Sequence, residues 1–199
     1  MIEQYKIDLL QQSDPVLSKI IHKIGTVNIT VNNTNYFKNA SRIIVGQQLS
    51  LKAARTIWHR LDQQVFEWTP NALASIDIQT MRSAGLSKQK ARYIKELAFM
   101  LEENLFSFTE VATLKNLDAI LSLKEIKGFG TWSAEMFLIS SLGREDIFSI
   151  SDAGLRRAVM SAYDLDKESY TNSIKEISEK WHPYRSIASH YLWAWIDTT

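Results

Sequence analysis

Residues 117–138 read LDAILSLKEIKGFGTWSAEMFL. The first ten form an amphipathic helical pattern, Gly128 and Gly130 bracket a single aromatic residue, and a second helical pattern starts at Thr131. Two glycines one residue apart open backbone conformations closed to other residues and let the main chain approach a ligand. A tight turn feeding a helix N-terminus aims unpaired N–H groups outward, a ready site for an anion. Trp132, a large neutral ring, follows at once and does not suit a nucleotide phosphate site.

The surrounding chain is patterned for helices. In SDPVLSKIIHKIG, Asp14 is placed to cap a helix, Pro15 fits its first turn and Gly25 suits its end. Leu17, Ile20, Ile21 and Ile24 then share one face. Thr69-Pro70 and Ser87 open further helices, the latter burying Ala91, Ile94, Leu97, Ala98 and Leu101, and Pro183 starts a last one with Ile187, Ala188, Tyr191, Leu192 and Trp195. Only TVNITVNNTN (26–35) alternates like a strand, and its asparagines favour a loop or a short extended piece. No repeat, linker or low-complexity tract interrupts the pattern. The expectation is an all-α fold.

With 199 residues, 45% of them hydrophobic, the chain is long enough to bury a sizeable core. It has no cysteine, which excludes disulfides, thiolate zinc and Cys-ligated clusters. No membrane-length apolar run or signal-peptide pattern is present, so the expected location is cytoplasmic, nucleoid-associated in a prokaryote or nuclear in a eukaryote. The net charge of +1 hides a separation of signs: Pro15 to Leu61 holds seven Lys or Arg residues and no acid, and Arg82 to Lys95 holds five more, again without an acid. One basic face, or ordinary solvated helix surfaces, both give this pattern.

Helix, G-F-G turn, helix is the pattern of a helix–hairpin–helix element, which grips a DNA backbone without reading bases. Twenty residues beyond Trp132, Asp152 opens another helix in DIFSISDAGLRRAVM; on its own it is a helix cap, with Ser151 as competitor. Together the hairpin and this Asp resemble the helix–hairpin–helix DNA glycosylase superfamily. RIIVGQQLSLKAARTIW (42–58), GLSKQKARYIKELA (85–98), IKGFGTWSAEMFL (126–138) and WHPYRSIASHYLW (181–193) resemble, in order, blocks of its 3-methyladenine DNA glycosylase II group, the AlkA/MAG-like branch. The resemblance spans nearly the whole chain and lacks the N-terminal β-domain of some members.

That resemblance implies one glycosylase domain of two helical lobes, about 1–45 plus 160–199 and 46–159, with the active-site cleft between them. It implies a DNA glycosylase of base excision repair that flips an alkylated purine out of double-stranded DNA and hydrolyses its N-glycosidic bond, acting as a monomer with no required cofactor. Asp152 becomes the carboxylate that stabilises the sugar cation. A lysine nucleophile of the strand-cutting branch would stand at Trp132, so water is expected to attack instead. Trp132, Trp193 and Met136 would face the cationic base, with Tyr36 and Phe37 nearby; core packing is the competing reading of all of them. Trp58, Trp68, Trp181 and Trp195 are expected in the core. From GQQLS, Gln48 is the foremost candidate to fill the gap in the stack, with Gln47 and Leu49 beside it, or the segment is a plain turn around Gly46. The hairpin, Lys127, Gly128, Phe129, Gly130, Thr131 and Ser133, would hold phosphate, with Lys88, Lys90 and Arg92 as further phosphate contacts. The carbonyls of Lys124, Ile126 and Phe129 would hold a sodium or potassium ion. Relatives carry Pro-Ala-Asp-Asp where this chain has Ser149-Ile150-Ser151-Asp152. A damage-binding protein without catalysis, and a glycosylase for deaminated bases such as uracil or hypoxanthine, are the rival functions.

Overall fold

The computed structural model describes residues 2–166 and 170–198. Described residues form helices and no strand, in two compact units: residues 1–31 with 143–199, and residues 32–142. None of these helices is long and apolar enough to cross a membrane.

The first unit holds α1 (Gln4–Ser13), α2 (Pro15–Ile24), α11 (Ala153–Ala162), α12 (Tyr170–Glu179) and α13 (Arg185–Ile196). Its core joins Leu17, Ile20 and Ile21 of α2 to Leu155 and Val159 of α11 and to Ile187, Tyr191 and Leu192 of α13. Asp14, only 1% exposed, organises it. One carboxylate oxygen accepts the Val16 and Leu17 N–H groups at 2.9 and 3.1 Å, capping α2. The other accepts the Tyr163 hydroxyl at 2.5 Å and the Trp181 indole N–H at 3.1 Å. A buried charge is tolerable only when its lone pairs are filled in this way. Burial, followed by the bond to Asp14, raises the Tyr163 phenol well above its ordinary range.

The second unit holds α3 (Tyr36–Gly46), α4 (Leu51–Gln64), α5 (Pro70–Ser75), α6 (Ile78–Ser83), α7 (Lys88–Glu102), α8 (Phe108–Thr113), α9 (Asn116–Leu123) and α10 (Thr131–Ser140). Helix α7 packs on α3, α5 and α6, and α10 packs on α3 and α9. Thr69 and Ser87 cap α5 and α7 through their hydroxyls, and Ala91, Ile94, Leu97 and Ala98 are buried along α7, while Leu101 is half-buried.

Several expectations are corrected. The units meet at 31/32 and 142/143 instead of near 45 and 159. Helix α3 buries Ala40, Ile44 and Val45 against α4, α7 and α10, so it belongs with them, and α11 packs on α13. Segment 26–35 is irregular and joins no sheet: Val27 and Ile29 lie on the first unit's core, and Asn35 caps α3 by accepting the Lys38 N–H at 2.8 Å. Alternation there reflects one-sided packing on helices. The last helix starts at Arg185, two residues after Pro183, with Tyr184 at its N-cap. Trp68 and Trp181 are core residues, whereas Trp58 and Trp195 are half-buried. Trp58 stacks on Trp68, with the Lys38 ammonium over both rings.

Candidate functional site

Within the second unit the hairpin is anchored from beneath. Ile126 and Phe129 are buried, and the Phe129 N–H donates to the Ile126 carbonyl at 2.9 Å. Gly128 adopts φ +88°, and a Cβ there would lie 2.2 Å from the Tyr93 ring, so both conformation and space require glycine. Gly130 differs. It is exposed, its φ is −96°, and an added Cβ would meet nothing within 4 Å. It is the N-cap of α10, a helix start that no side chain caps, and Thr131 beside it is exposed. Such a start presents main-chain N–H groups and the positive end of the helix dipole.

The GQQLS turn is tied to this hairpin. The Gln47 amide donates to the Gly128 carbonyl at 2.8 Å and to the Ser133 hydroxyl at 2.9 Å. Lys90 donates to the carbonyls of Val45 and Gln47 at 2.8 and 2.6 Å, and burial lowers the pKa of its ammonium. Gln47, expected as a stack filler, and Lys90, expected as a phosphate contact, thus both spend their donors on main-chain carbonyls and a hydroxyl of the same unit. Gln48 is exposed at φ 55°, and Leu49 is 39% exposed. Leu51, at 66% exposure, is an apolar side chain at the same turn that sequence reasoning missed. A leucine at the first position of a helix, off its buried face, was the available signal. Lys88 and Arg92 are exposed, and Lys127 pairs with Glu96 at 2.8 Å.

Trp132 and Met136 are half-buried on α10. Tyr36 is half-buried against Phe108 and Phe137, and Phe37 is only 5% exposed, in the core of its unit beside Trp68. Among the hairpin carbonyls, that of Ile126 accepts the Phe129 N–H and keeps a second lone pair. No cluster of three or more carboxylate or imidazole groups suited to a metal exists among the described residues.

In the first unit, Asp152 caps α11 and does more. The half-buried carboxylate accepts the Leu155 N–H at 2.8 Å and the Trp193 indole N–H at 3.0 Å through the same oxygen, Oδ1. Gly154 lies close by: a Cβ there would sit 3.1 Å from Asp152 Oδ1, a tight contact, and 3.4 Å from the Trp193 ring. His190, one turn before Trp193 on α13, meets it edge-on at 5.3 Å. Burial pushes the His190 imidazole down to about 4, so it is neutral at physiological pH. The turn before α11 is closed by Asp152 N–H donating to the Ser149 carbonyl at 3.1 Å, with Ser149 buried and Ser151 exposed. Asp152 and Trp193 are thus brought together in one unit, and Gln47, Gly128 and Ser133 in the other. Sequence reasoning missed Gly154 and the hydrogen bond that Trp193 makes.

Residues 41–183, which include the hairpin and Asp152, match the model of the HhH-GPD superfamily base excision DNA repair proteins. The chain belongs to that family. It is 31% identical over 164 residues to a putative DNA-3-methyladenine glycosylase of Bacillus subtilis, YfjP, covering 78% of this family member and 57% of that relative. Among solved structures, a Bacillus halodurans DNA-3-methyladenine glycosidase superposes with a TM-score of 0.79 at 33% identity, covering 94% of this chain and 87% of the other. The Schizosaccharomyces pombe 3-methyladenine DNA glycosylase Mag1, in complex with abasic DNA, superposes with a TM-score of 0.87 at 28% identity, covering 96% and 95%.

Proposed function

We propose that this HhH-GPD protein is a monofunctional DNA glycosylase that removes alkylated purines of the 3-methyladenine and 7-methylguanine class from duplex DNA. The observation that carries the proposal is the carboxylate of Asp152, fixed by the Leu155 and Trp193 N–H groups in a chain of glycosylase relatives. An alkylated purine is a cation and a good leaving group. The bond from C1′ to the base nitrogen breaks with its electron pair going to the base, and positive charge gathers on the sugar. A carboxylate already oriented by two donors stabilises that charge without reorganising. Water then adds to C1′ and loses its proton, leaving an abasic site.

Trp132 carries no amine and forms no Schiff base, which supports water as nucleophile. Its π face favours a cationic over a neutral base by about 0.5–2 kcal/mol, and Met136 stands one turn further along α10. The hairpin N–H groups from Gly130 to Ser133 take a DNA phosphate, Lys88 and Arg92 add long-range attraction, and the protein acts as a monomer. A sodium or potassium ion on the Lys124, Ile126 and Phe129 carbonyls would fix the same turn.

The test incubates the protein with methylated duplex DNA and measures released bases, beside Asp152→Asn. Release of 3-methyladenine or 7-methylguanine by the native chain and none by the variant is expected. Binding without release of any base would refute the enzyme reading, and equal release by Asp152→Asn would refute the role of Asp152. A borohydride-trapped protein–DNA adduct would refute water as nucleophile.

A further inference from the structure

We propose that Lys90 and Gln47 are positioning residues that lock the 46–50 turn to the hairpin, so that the element entering the DNA stack and the element holding the backbone move as one body. The proposal rests on the reading of this chain as a DNA glycosylase. Three segments distant in sequence converge. The Lys90 ammonium takes the Val45 and Gln47 carbonyls at the open end of α3, at 2.8 and 2.6 Å. Gln47 turns its side chain to the Gly128 carbonyl and the Ser133 hydroxyl, at 2.8 and 2.9 Å. Three residues along α7 from Lys90, the Tyr93 ring fills the space against Gly128 that a side chain would occupy. One side of α7 thereby backs both the turn and the hairpin.

The chemistry favours coupling over phosphate binding. An ammonium that donates to two carbonyls at a helix C-terminus is partly desolvated and directed inward, while its neighbours Lys88 and Arg92 are exposed. Gln47 uses both amide protons on the hairpin, leaving Gln48 and Leu49, exposed at the tip, to enter a stack. Extruding a nucleotide costs a few kcal/mol of stacking and pairing. An inserting side chain works against that cost only if its base is fixed relative to the phosphates the protein grips.

The experiment uses a duplex with a tetrahydrofuran abasic analogue flanked by 2-aminopurine, whose fluorescence rises when the stack opens. Lys90→Met, Gln47→Met and Lys88→Ala are compared with the native chain at saturating protein, and Kd is measured across a salt series. For Lys90→Met and Gln47→Met, the fluorescence rise falls to half or less while the slope of log K against log[salt] is unchanged. Lys88→Ala does the reverse, losing about 0.9 of slope, one phosphate contact, with a full rise. A Lys90→Met variant that loses slope as Lys88→Ala does, with its fluorescence rise intact, overturns the proposal. So does a full rise in Gln47→Met, the arm that decides if Lys90→Met fails to fold in a thermal melt. If the native chain opens the stack yet releases no methylated base, the glycosylase reading fails while these same variants still decide the coupling.

Discussion

Exchanging each hairpin glycine for alanine separates the fold's demand from the ligand's. At Gly128 the new Cβ would lie 2.2, 2.5 and 2.9 Å from three atoms of the Tyr93 ring, at a φ of +88°. The left-handed backbone costs about 1–2 kcal/mol for an L-residue, and overpacking adds about 1–3 kcal/mol. The sum is about 2–5 kcal/mol. With about 2–4 °C lost per kcal/mol in a chain of this size, Gly128→Ala melts roughly 4–20 °C below the native chain. Tyr93→Ala in the same chain returns the packing part and leaves the backbone part. At Gly130 no such conflict exists, since φ is −96° and nothing lies within 4 Å. Gly130→Ala holds or slightly raises the melting temperature through lower unfolded-state entropy, by about 0.4–1 kcal/mol. Its methyl group stands at the uncapped start of α10, where the phosphate is proposed to dock, so affinity for an abasic-analogue duplex falls several-fold. Thermal denaturation and fluorescence anisotropy read the two effects. A Gly128→Ala variant that melts with the native chain refutes the steric reasoning, and undiminished affinity in Gly130→Ala refutes the hairpin as a phosphate site.

Trp193→Phe keeps the ring but removes the N–H that Asp152 accepts; single-turnover excision of 7-methylguanine slows about ten-fold or more, and losing a charged hydrogen bond of about 1.5–3 kcal/mol lowers the melting temperature by about 3–12 °C. Gly154→Val pushes a branched side chain against Asp152 and Trp193, and excision drops further than DNA affinity in the same assays. The folded-state pKa of His190, about 4, lies below its ordinary value of 6.5, so its contribution to stability is complete above pH 6.5 and lost as pH falls from 6.5 to 4. Melting temperatures of His190→Gln and the native chain should therefore converge across that window. Asp146, where burial opposes but Arg185 and then His182 overcome it, has a lowered pKa; its stabilisation is lost only as pH falls below the ordinary carboxylate range, and Asp146→Asn flattens that acid limb of the melting curve.

Local signals carried the reading of the fold. Caps at Asp14, Thr69 and Ser87, the apolar faces of α2 and α7 and the G-F-G turn each depend on residues within a few positions of one another, and the helices form where those residues stand. The boundary between units was not legible, because whether α3 packs on α2 or on α7 depends on contacts far apart in sequence. The same distance hides Lys90: in GLSKQKARYIKELA it is one of several similar cations, and only the return of α3 to the start of α7 makes it a partner for two carbonyls. Phe37 and Tyr36 are adjacent in sequence but sit differently, one sealed beside Trp68 and the other partly open.

Asp152 shows why residue type and spacing can single out a candidate carboxylate but not the contacts that hold it. A helix-capping Asp is common, and its bond to the Leu155 N–H is what any such cap would make. The distinguishing contact comes from Trp193, 41 residues later, reaching the same oxygen. With Oδ1 accepting two N–H donors, the carboxylate is held in place before any substrate arrives. The Trp193→Phe test addresses this directly. If losing the indole N–H leaves the excision rate intact, the helix cap alone orients Asp152, and the tryptophan serves through its ring face instead.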